Sequence, residues 1–296
     1  MKKFTKNPAN PIYGGPATGT LFDVYVTRAD DRYRMDFSWR PQKALAAAFS
    51  DDGIHWGDPV ITLRSDLTTG WEDNINRNCV LKIGGEWRMW YTGQARGYSF
   101  IGGAQSRDGI HFERLGHDPM IIPERHFEGM SVMNPCVLYE NGSYRMWYAA
   151  GETYEPNVLA LAVSSDGASW VKDRINPIFT RNKAKEYERD RVGGCQVIHT
   201  RLGYLMFYIG YRDIHTACIC AALSEDGRTG WRRCRLNPLG TPGVGEWDAD
   251  SCYKPSALFD DRGWHIWYNG RKGSDEYIGE AYMDADFDAE DFEPLG

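Results

Sequence analysis

The chain has 296 residues and a formal net charge of -7, and 14% of its residues are aromatic, including 11 tryptophans. A chain of this length and composition can bury a large core, either as one β-rich domain or as two domains. The negative charge repels nucleic-acid backbones, and the longest apolar runs are far below the roughly 18 residues that span a bilayer. We therefore expect a folded protein with no nucleic-acid partner and no membrane partner.

The N-terminal residues and the cysteines both favour a cytoplasmic location. Met1-Lys2-Lys3 is followed by polar Thr5, Lys6 and Asn7 rather than by the apolar core of a signal peptide. The seven cysteines are odd in number and form no C-x-x-C pair, and most of them lie in apolar runs such as NCVL and NPCVL. We predict a cytoplasmic protein whose cysteines are reduced packing residues.

A short aromatic pattern recurs five times along the chain. The copies are YRMDF (33–37), WRMWY (87–91), YRMWY (144–148), YLMFY (204–208) and WHIWY (264–268). An apolar segment precedes each copy, at VYV (24–26), CVL (79–81), CVL (136–138), QVI (196–198) and SAL (256–258). An Asp-Gly turn follows four of them, in SDDGIHW (50–56), SRDGIHF (106–112), SSDGASW (164–170) and SEDGRTGW (224–231), and AYMDADF (281–287) is a degenerate fifth copy.

Each unit predicts four antiparallel strands, namely an apolar strand, an aromatic strand, a small-residue strand and an outer strand. Five such units are typical of a five-bladed β-propeller, because β-helix repeats are shorter and sandwiches do not repeat whole four-strand units. We predict one all-β domain over residues 1–296, with one or both termini closing the ring in blade five. The predicted blades cover about residues 21–66, 76–123, 133–180, 193–241 and 253–296 with 4–15.

The two faces of the predicted disc carry different loops. Asp52, Asp108, Asp166 and Asp226 are expected to cap their own Asp-Gly turns on one face. The segments that lead into the inner strands lie on the other face, and they read GTLFDVY (19–25), GWEDNINRN (70–78), HFEGMSVMNP (126–135), EYERDRVGG (186–194) and EWDADSCYKP (246–255). The loops that leave the second strands join them there, and they read SWRPQK (38–43), TGQARGYS (92–99), AGETYEPN (150–157), GYRDIH (210–215) and NGRKGSDE (269–276).

These segments bring acids, arginines, amides and aromatic rings to one axis. A single polar loop is usually a solvated turn, but loops from five blades lie within reach of one ligand in a concave site. Aromatic faces and amide groups suit a small carbohydrate substrate. We predict that the substrate is bound by Arg40, Trp71, Glu72, Asp73, Asn76, Arg77, Gln94, Asn134, Tyr154, Glu155, Asp190, Arg212, Trp247, Asp248, Lys254, Asn269 and Arg271.

Asp23 is the first catalytic candidate, as base or nucleophile. It interrupts an apolar strand, where an ionised side chain is costly unless it has a partner or a function. Glycoside cleavage also needs an acid, and we predict Glu152 or Asp250 for that role. Asp250 is expected to occupy the same place in its blade as Asp73 and Asp190 do in theirs.

The repeat and the position of Asp23 resemble the five-bladed furanosidase-type glycoside hydrolases, the superfamily of arabinanases, invertases and levansucrases, and more distantly families 117 and 130. In family 43 the resemblance implies an Asp in the first blade, an Asp in the third and a Glu in the fourth. Asp23 fits the first position, whereas Asn134 and Gly194 occupy the other two. Arg77 and Lys254 stand at the equivalent places in blades two and five. Acids from neighbouring segments then serve instead, or the reaction differs from the family mechanism.

Three functions follow from this interpretation. The first is a glycoside hydrolase that cleaves a small oligosaccharide by carboxylate acid and base catalysis in the central funnel. The second is a family-130-like phosphorylase, since phosphate as the attacking group requires one acid fewer, and the third is a non-catalytic sugar-binding propeller. No cofactor is predicted; clustered carboxylates would accept a Ca²⁺ ion on the axis, but no spacing demands one. The oligomeric state is left open.

Overall fold

Antiparallel β-strands make up nearly all of the regular secondary structure. The structure is a computed structural model that describes residues 2–29, 31–152 and 156–295. Within those residues the helices are single 3-10 turns at Arg40–Gln42, Leu67–Thr69, His126–Glu128, Glu186–Glu188 and Ala289–Asp291. No described helix has the length and apolar character needed to cross a membrane.

Three long antiparallel strands recur five times, and we call each set a module with an inner, a second and a third strand. Module one comprises Leu21–Ala29, Arg32–Trp39 and Ala44–Ser50. Module two comprises Asn74–Ile83, Glu86–Ala95 and Tyr98–Ser106. Module three comprises Ser131–Glu140, Ser143–Gly151 and Pro156–Ser164. Module four comprises Arg191–Thr200, Gly203–Asp213 and Thr216–Ser224, and module five Ser251–Asp260, Gly263–Lys272 and Asp275–Met283.

A shorter outer strand pairs with the third strand of each module. These outer strands are Val60–Arg64, Glu113–Arg114, Val171–Lys172 with Phe179–Thr180, Arg232–Arg233, and Thr5–Lys6 for module five. The inner strands of modules two to five begin two residues before the blade starts predicted from the sequence. The difference arises because the leading segments already pair with the second strands.

The Asp-Gly turns behave as the sequence predicts. The Asp52 carboxylate accepts hydrogen bonds from the backbone N–H groups of Ile54 and His55, both at 2.8 Å. Asp108, Asp166 and Asp226 make the equivalent pair of bonds in their own turns. Each turn thereby links a third strand to the outer segment of its module.

Hydrogen bonds between inner strands join the modules in sequence. The backbone N–H of Val137 in module three donates to the Cys79 thiol of module two at 3.3 Å, and Val197 of module four donates to Cys136 at 3.2 Å. Ala257 of module five donates to Gln196 of module four. Val26 of module one donates to the Ser256 hydroxyl of module five at 2.8 Å, which links the last module to the first. All seven cysteines are buried with free thiols, as predicted.

The N-terminal segment completes module five. Thr5 and Lys6 pair with Tyr282 and Ala281, and the Asn10 side chain bonds to both backbone groups of Glu280. Asn176 and Asn237 make the same pair of hydrogen bonds to the backbone groups of Leu161 and Ala221 in modules three and four.

The C-terminal segment takes a different place from the one predicted, since we assigned residues up to 296 to blade five. Glu293 donates its backbone N–H to Arg233 at 2.9 Å, and Arg235 donates to Asp291 at 2.7 Å. The segment therefore extends the outer part of module four. The N-terminal strand already occupies the free edge of module five, so that edge offers no place for a second segment.

A buried carboxylate anchors the segment leading into each inner strand of modules two to five. Every one of these carboxylates is fully buried and accepts a hydrogen bond from the tyrosine of its module's aromatic pattern. The pairs are Glu72 with Tyr91 (2.6 Å), Glu128 with Tyr148 (2.8 Å), Glu188 with Tyr208 (2.7 Å) and Asp248 with Tyr268 (3.1 Å).

A cation from the outer strand completes each of these carboxylate pairs. The partners are Arg114 for Glu72, Lys172 for Glu128 (2.7 Å), Arg233 for Glu188 (2.6 Å) and Lys6 for Asp248 (2.6 Å). Module one has Phe37 in place of the tyrosine, so it has no hydroxyl at this position to satisfy. The carboxylate, the tyrosine and the cation together form what we call an anchor triad.

Candidate active site

A β-bulge interrupts every inner strand at the same place. The pairing register shifts between Phe22 and Tyr25 in module one and at the equivalent point in the other four modules. The bulged residues are Asp23, Arg77, Asn134, Gly194 and Lys254. A bulge re-aims the side chain that it carries and is common beside active sites. The five positions matched from the sequence are therefore structurally equivalent.

Four of the bulged residues have a left-handed backbone. The φ angles are 59° for Asp23, 57° for Arg77, 54° for Asn134 and 51° for Lys254. Residues other than glycine adopt this region rarely, at a cost of the order of 1 kcal/mol or more. Such a conformation persists only where the surrounding structure enforces it.

Side chains of the preceding module supply part of that enforcement. Ser38 accepts the backbone N–H of Arg77 at 3.0 Å, and Thr92 accepts that of Asn134 at 3.1 Å. Asn269 accepts the N–H of Val24 at 3.3 Å and is fully buried. We predicted that Asn269 binds substrate, but its amide oxygen is engaged in holding the bulge of Asp23.

Three of the bulged side chains are buried polar groups on equivalent bulges, and we call these three together the floor. Asp23 is 2% exposed, Lys254 2% and Asn134 3%. One carboxylate oxygen of Asp23 and the amide oxygen of Asn134 have no hydrogen-bond partner. The guanidinium of Arg77 lies 3.7 Å from that same oxygen of Asp23. Buried polar atoms are nearly always satisfied, so unsatisfied ones at a convergent site indicate a place where ligand atoms bind.

Amide side chains hold Arg77 beside Asp23. Arg77 donates to the Asn76 amide oxygen at 2.8 Å, and the Asn76 amide nitrogen donates to Gln94 at 2.8 Å. Gln94 donates in turn to Ser99 at 2.9 Å. The structure thus brings the predicted residues Asn76, Arg77 and Gln94 together with Asp23.

Glu276 is a carboxylate of this site that the sequence reasoning missed. It is 6% exposed and accepts a hydrogen bond from the Tyr253 hydroxyl at 2.7 Å. Burial raises the pKa of Glu276 above its ordinary value, and the charge of Asp23 raises it further, while Arg40 and Arg271 oppose the rise. Arg40 lies 3.6 Å from the carboxylate. A carboxyl group whose pKa is raised in this way is suited to donating a proton.

The two acids predicted from the sequence lie at the rim instead. The Glu152 side chain is 63% exposed and pairs with Arg191 at 3.0 Å, and Arg191 also pairs with Asp190 at 2.6 Å. Asp250 is exposed and accepts the backbone N–H of Gly273 at 2.7 Å. An acid with a raised pKa requires an environment that excludes water, and neither Glu152 nor Asp250 has one.

The three aspartates that we predicted to occupy the same place in their modules do so. Asp73, Asp190 and Asp250 each stand directly before the first residue of an inner strand. Tyr154 and Glu155, which we also predicted to bind substrate, lie outside the described residues.

A cleft of about 970 Å³ opens between modules four and five. Arg212, His215, Asp250 and Arg271 contribute its polar lining. Arg271 also lies over the Tyr253 ring, with 5.9 Å between the guanidinium carbon and the ring centroid. The cleft therefore adjoins the part of the site that holds Glu276.

Four residues predicted to bind substrate belong to the packing of the modules. Trp71 and Trp247 stack on the tyrosines of two anchor triads, at ring distances of 5.9 and 5.8 Å. Glu72 and Asp248 are the carboxylates of those triads and are fully buried. We correct the prediction for all four, because packing and ion pairing already occupy them. Within the described residues, no three His, Cys, Asp or Glu side chains converge to hold a metal ion.

Comparisons with known proteins show which sequences and which solved structures the chain resembles. No family model matches the chain. Two uncharacterized proteins of Mycobacterium tuberculosis are similar: MT1551 is 36% identical over 55% of this chain and 60% of its own length, and Rv1502 is 29% identical over 64% of each. The chain thus covers less than two thirds of either relative.

Solved structures match almost the whole chain. A thermostable family-43 glycoside hydrolase has a TM-score of 0.74 at 16% identity, over 95% of this chain and 96% of that one. The beta-1,2-mannobiose phosphorylase of Listeria innocua has a TM-score of 0.70 at 16% identity, over 95% and 97%. The chain has the fold of these enzymes. At such low identity, the likeness extends to the fold alone.

Proposed function

We propose that the five modules are the blades of a single five-bladed β-propeller and that the floor is the bottom of its central funnel. The equivalent bulges and the hydrogen bonds that link module five to module one support this architecture. A ring of blades directs five bulges at one axis, and four of them carry side chains, namely Asp23, Arg77, Asn134 and Lys254.

We further propose that the protein cleaves glycosidic bonds in this funnel. The observation that carries the proposal is Asp23, a buried carboxylate with one unsatisfied oxygen on a strained bulge. Such a group is costly to maintain for packing alone. Its position corresponds to that of the aspartate in the first blade of the family-43 enzymes that the sequence resembles.

Glu276 is the acid of the proposed reaction. Its raised pKa keeps the carboxyl protonated at a higher pH than an ordinary glutamate, so it has a proton for the leaving oxygen. Asp23 then acts as the base that activates the attacking water or as the nucleophile. Glu152 and Asp250, the acids expected from the sequence, become candidate contacts for the outer part of the substrate.

Phosphorolysis is the second candidate, and the cations at the floor favour it. Asn134 and Gly194 stand where the family-43 pattern would place two further acids, and the equivalent places in blades two and five carry the cations Arg77 and Lys254. Guanidinium and ammonium groups bind phosphate well. The mannobiose phosphorylase with the same fold was solved with beta-1,2-mannobiose, which makes that disaccharide the first substrate to test.

The test is a chromatographic screen for sugars released from beta-1,2-mannobiose, other disaccharides and aryl glycosides, with and without phosphate. Asp23→Asn is the variant, because it keeps the shape of the side chain and removes its charge. Release that needs no phosphate and is lost in the variant supports a hydrolase, and release only with phosphate supports a phosphorylase. If no substrate is cleaved while sugars bind equally to both proteins, the protein is a sugar-binding propeller and the enzymatic proposal fails.

A further inference from the structure

Lys254 is a buried cation with no counter-ion. Its side chain is enclosed at 2% exposure, and no carboxylate of the described residues lies within ion-pair distance of it. An ammonium group taken out of water without a partner is costly, so such lysines are rare. The other enclosed lysine of the chain, Lys172, pairs with Glu128 at 2.7 Å.

The charge of Lys254 acts on three buried thiols of other modules. Burial raises the pKa of the Cys79, Cys136 and Cys195 thiols, and the Lys254 charge opposes the rise at all three. These cysteines belong to modules two, three and four, whereas Lys254 belongs to module five. Lys254 stands on the bulge equivalent to that of Asp23, and its charge acts on residues of three other modules.

The charges around the floor are unbalanced. Among the described residues, the cations there are Arg40, Arg77, Lys254 and Arg271, and the carboxylates are Asp23 and Glu276. Glu276 is further biased toward its neutral form by burial. This excess of positive charge lies in a protein whose net charge is -7.

We propose that the floor contains an anion subsite in which Lys254 binds a carboxylate or phosphate group. This inference rests on the proposed function, because it concerns the same funnel, and it adds the substrate's charge class. The anionic group belongs either to the sugar, as in a uronate, or to free phosphate. In both cases it supplies the counter-ion that Lys254 lacks.

Isothermal titration of the whole protein tests the subsite. The probes are inorganic phosphate, D-glucuronate and neutral D-glucose, titrated into wild type and Lys254→Met. The wild type should bind at least one anion, and loss of a charge-assisted hydrogen bond should weaken that binding roughly 10- to 100-fold in the variant. Binding of phosphate identifies a free anion as the ligand, and binding of glucuronate without phosphate identifies a sugar substituent.

Two further variants keep the result interpretable. Lys254→Arg retains the charge and should retain anion binding. Lys172→Met removes a paired lysine away from the floor, so it should lower the melting temperature and leave anion binding unchanged. Lys254→Met should not lower the melting temperature, because it removes an unpaired buried charge.

Equal anion affinity in wild type and Lys254→Met would overturn the proposal, as would a wild type that binds neither anion. The titrations require no turnover. A wild type that cleaves neutral glycosides but binds no anion would therefore refute the subsite and leave the glycosidase proposal standing.

Discussion

Asp23 and Glu276 are two carboxylates of one site with different surroundings. Both are buried beside an arginine, Asp23 at 3.7 Å from Arg77 and Glu276 at 3.6 Å from Arg40, but Glu276 also accepts a hydrogen bond from Tyr253, whose pKa burial raises. One site can perform both acid and base chemistry when the environments of its two carboxyl groups give them different pKa values. At the scale of single residues, the proposed reaction depends on this difference.

Glu276→Gln should make the protein less active and more stable. Loss of a general acid lowers the rate by about 10²- to 10⁴-fold. A carboxyl group whose pKa is higher in the folded than in the unfolded state destabilises the fold as the pH rises between these two pKa values. An amide cannot ionise, so the substitution should raise the melting temperature at neutral pH. Product release and thermal unfolding measure the two effects.

Glu128→Gln is the matched control. Burial opposes ionisation there, but backbone N–H groups and Lys172 outweigh it and lower the pKa of Glu128. That stabilisation is present above the unfolded value near 4.3, so the substitution should lower the melting temperature at neutral pH. A Glu276→Gln protein that melts earlier than wild type would show that the residue is structural.

Asp23 could be predicted from the sequence and Glu276 could not, for a physical reason. Asp23 interrupts an apolar strand, so the sequence alone shows that an ionisable side chain stands where burial is costly. Glu276 lies in the polar stretch GSDE, where an acid is unremarkable, and only the fold encloses it. A signal exists in the repeat, because the residues at the same place in the other third strands are Lys43, Ser99, Asn157 and Ala217, none of them acidic.

At the scale of elements, the anchor triads distinguish buried acids that stabilise the fold from the exposed acids next to them in the sequence. Glu72→Ala should cost about 3–5 kcal/mol of unfolding free energy, because it leaves Arg114 and Tyr91 without their buried partner. Asp73→Ala, one residue along and exposed, should leave stability within about 0.5 kcal/mol of wild type. Urea denaturation of both variants measures this, and equal losses would refute the structural role of the triad.

The Asp-Gly turns make the fold sensitive to acid. Burial tends to raise the pKa of Asp226, but the backbone N–H groups of Thr229 and Arg228 outweigh it and lower the pKa to about 2. The stabilisation is complete above the unfolded value near 3.9 and is lost as the pH falls toward 2. Asp226→Ala should therefore flatten the decline of stability over that interval in urea titrations, and an unchanged slope would contradict this account.

The repeat predicted the strands and turns because their chemistry is local. Strand alternation, Asp-Gly turns and aromatic pairs each depend on residues close in the chain. The bulges at Asp23, Arg77, Asn134 and Lys254 depend on side chains of the preceding module, such as Ser38 and Thr92, so no single repeat reveals them. For the same reason, the burial of Trp71 and Trp247 required the assembled fold.

The whole ring depends on a strand that is distant in sequence from the module it completes. The N-terminal strand supplies Lys6 to the buried Asp248, and Asn10 bonds to both backbone groups of Glu280. Asn10→Ala should cost about 1–3 kcal/mol, because it leaves two backbone groups unsatisfied. Asn237→Ala removes the same pair of hydrogen bonds in module four. It is the matched control and should lower the free energy of unfolding by the same amount.

Removal of residues 1–12 should cost much more than Asn10→Ala. The truncation leaves Asp248 as a buried, unpaired charge and uncovers the third strand of module five, whose free N–H and C=O groups can then pair with another molecule. Module five also holds module one through Ser256 and Asn269, so loosening it releases the bulge that carries Asp23. Size-exclusion chromatography and urea denaturation should show association and a loss of stability well beyond that of Asn10→Ala. A truncated protein that stays monodisperse with near wild-type stability would mean that the ring does not depend on this strand.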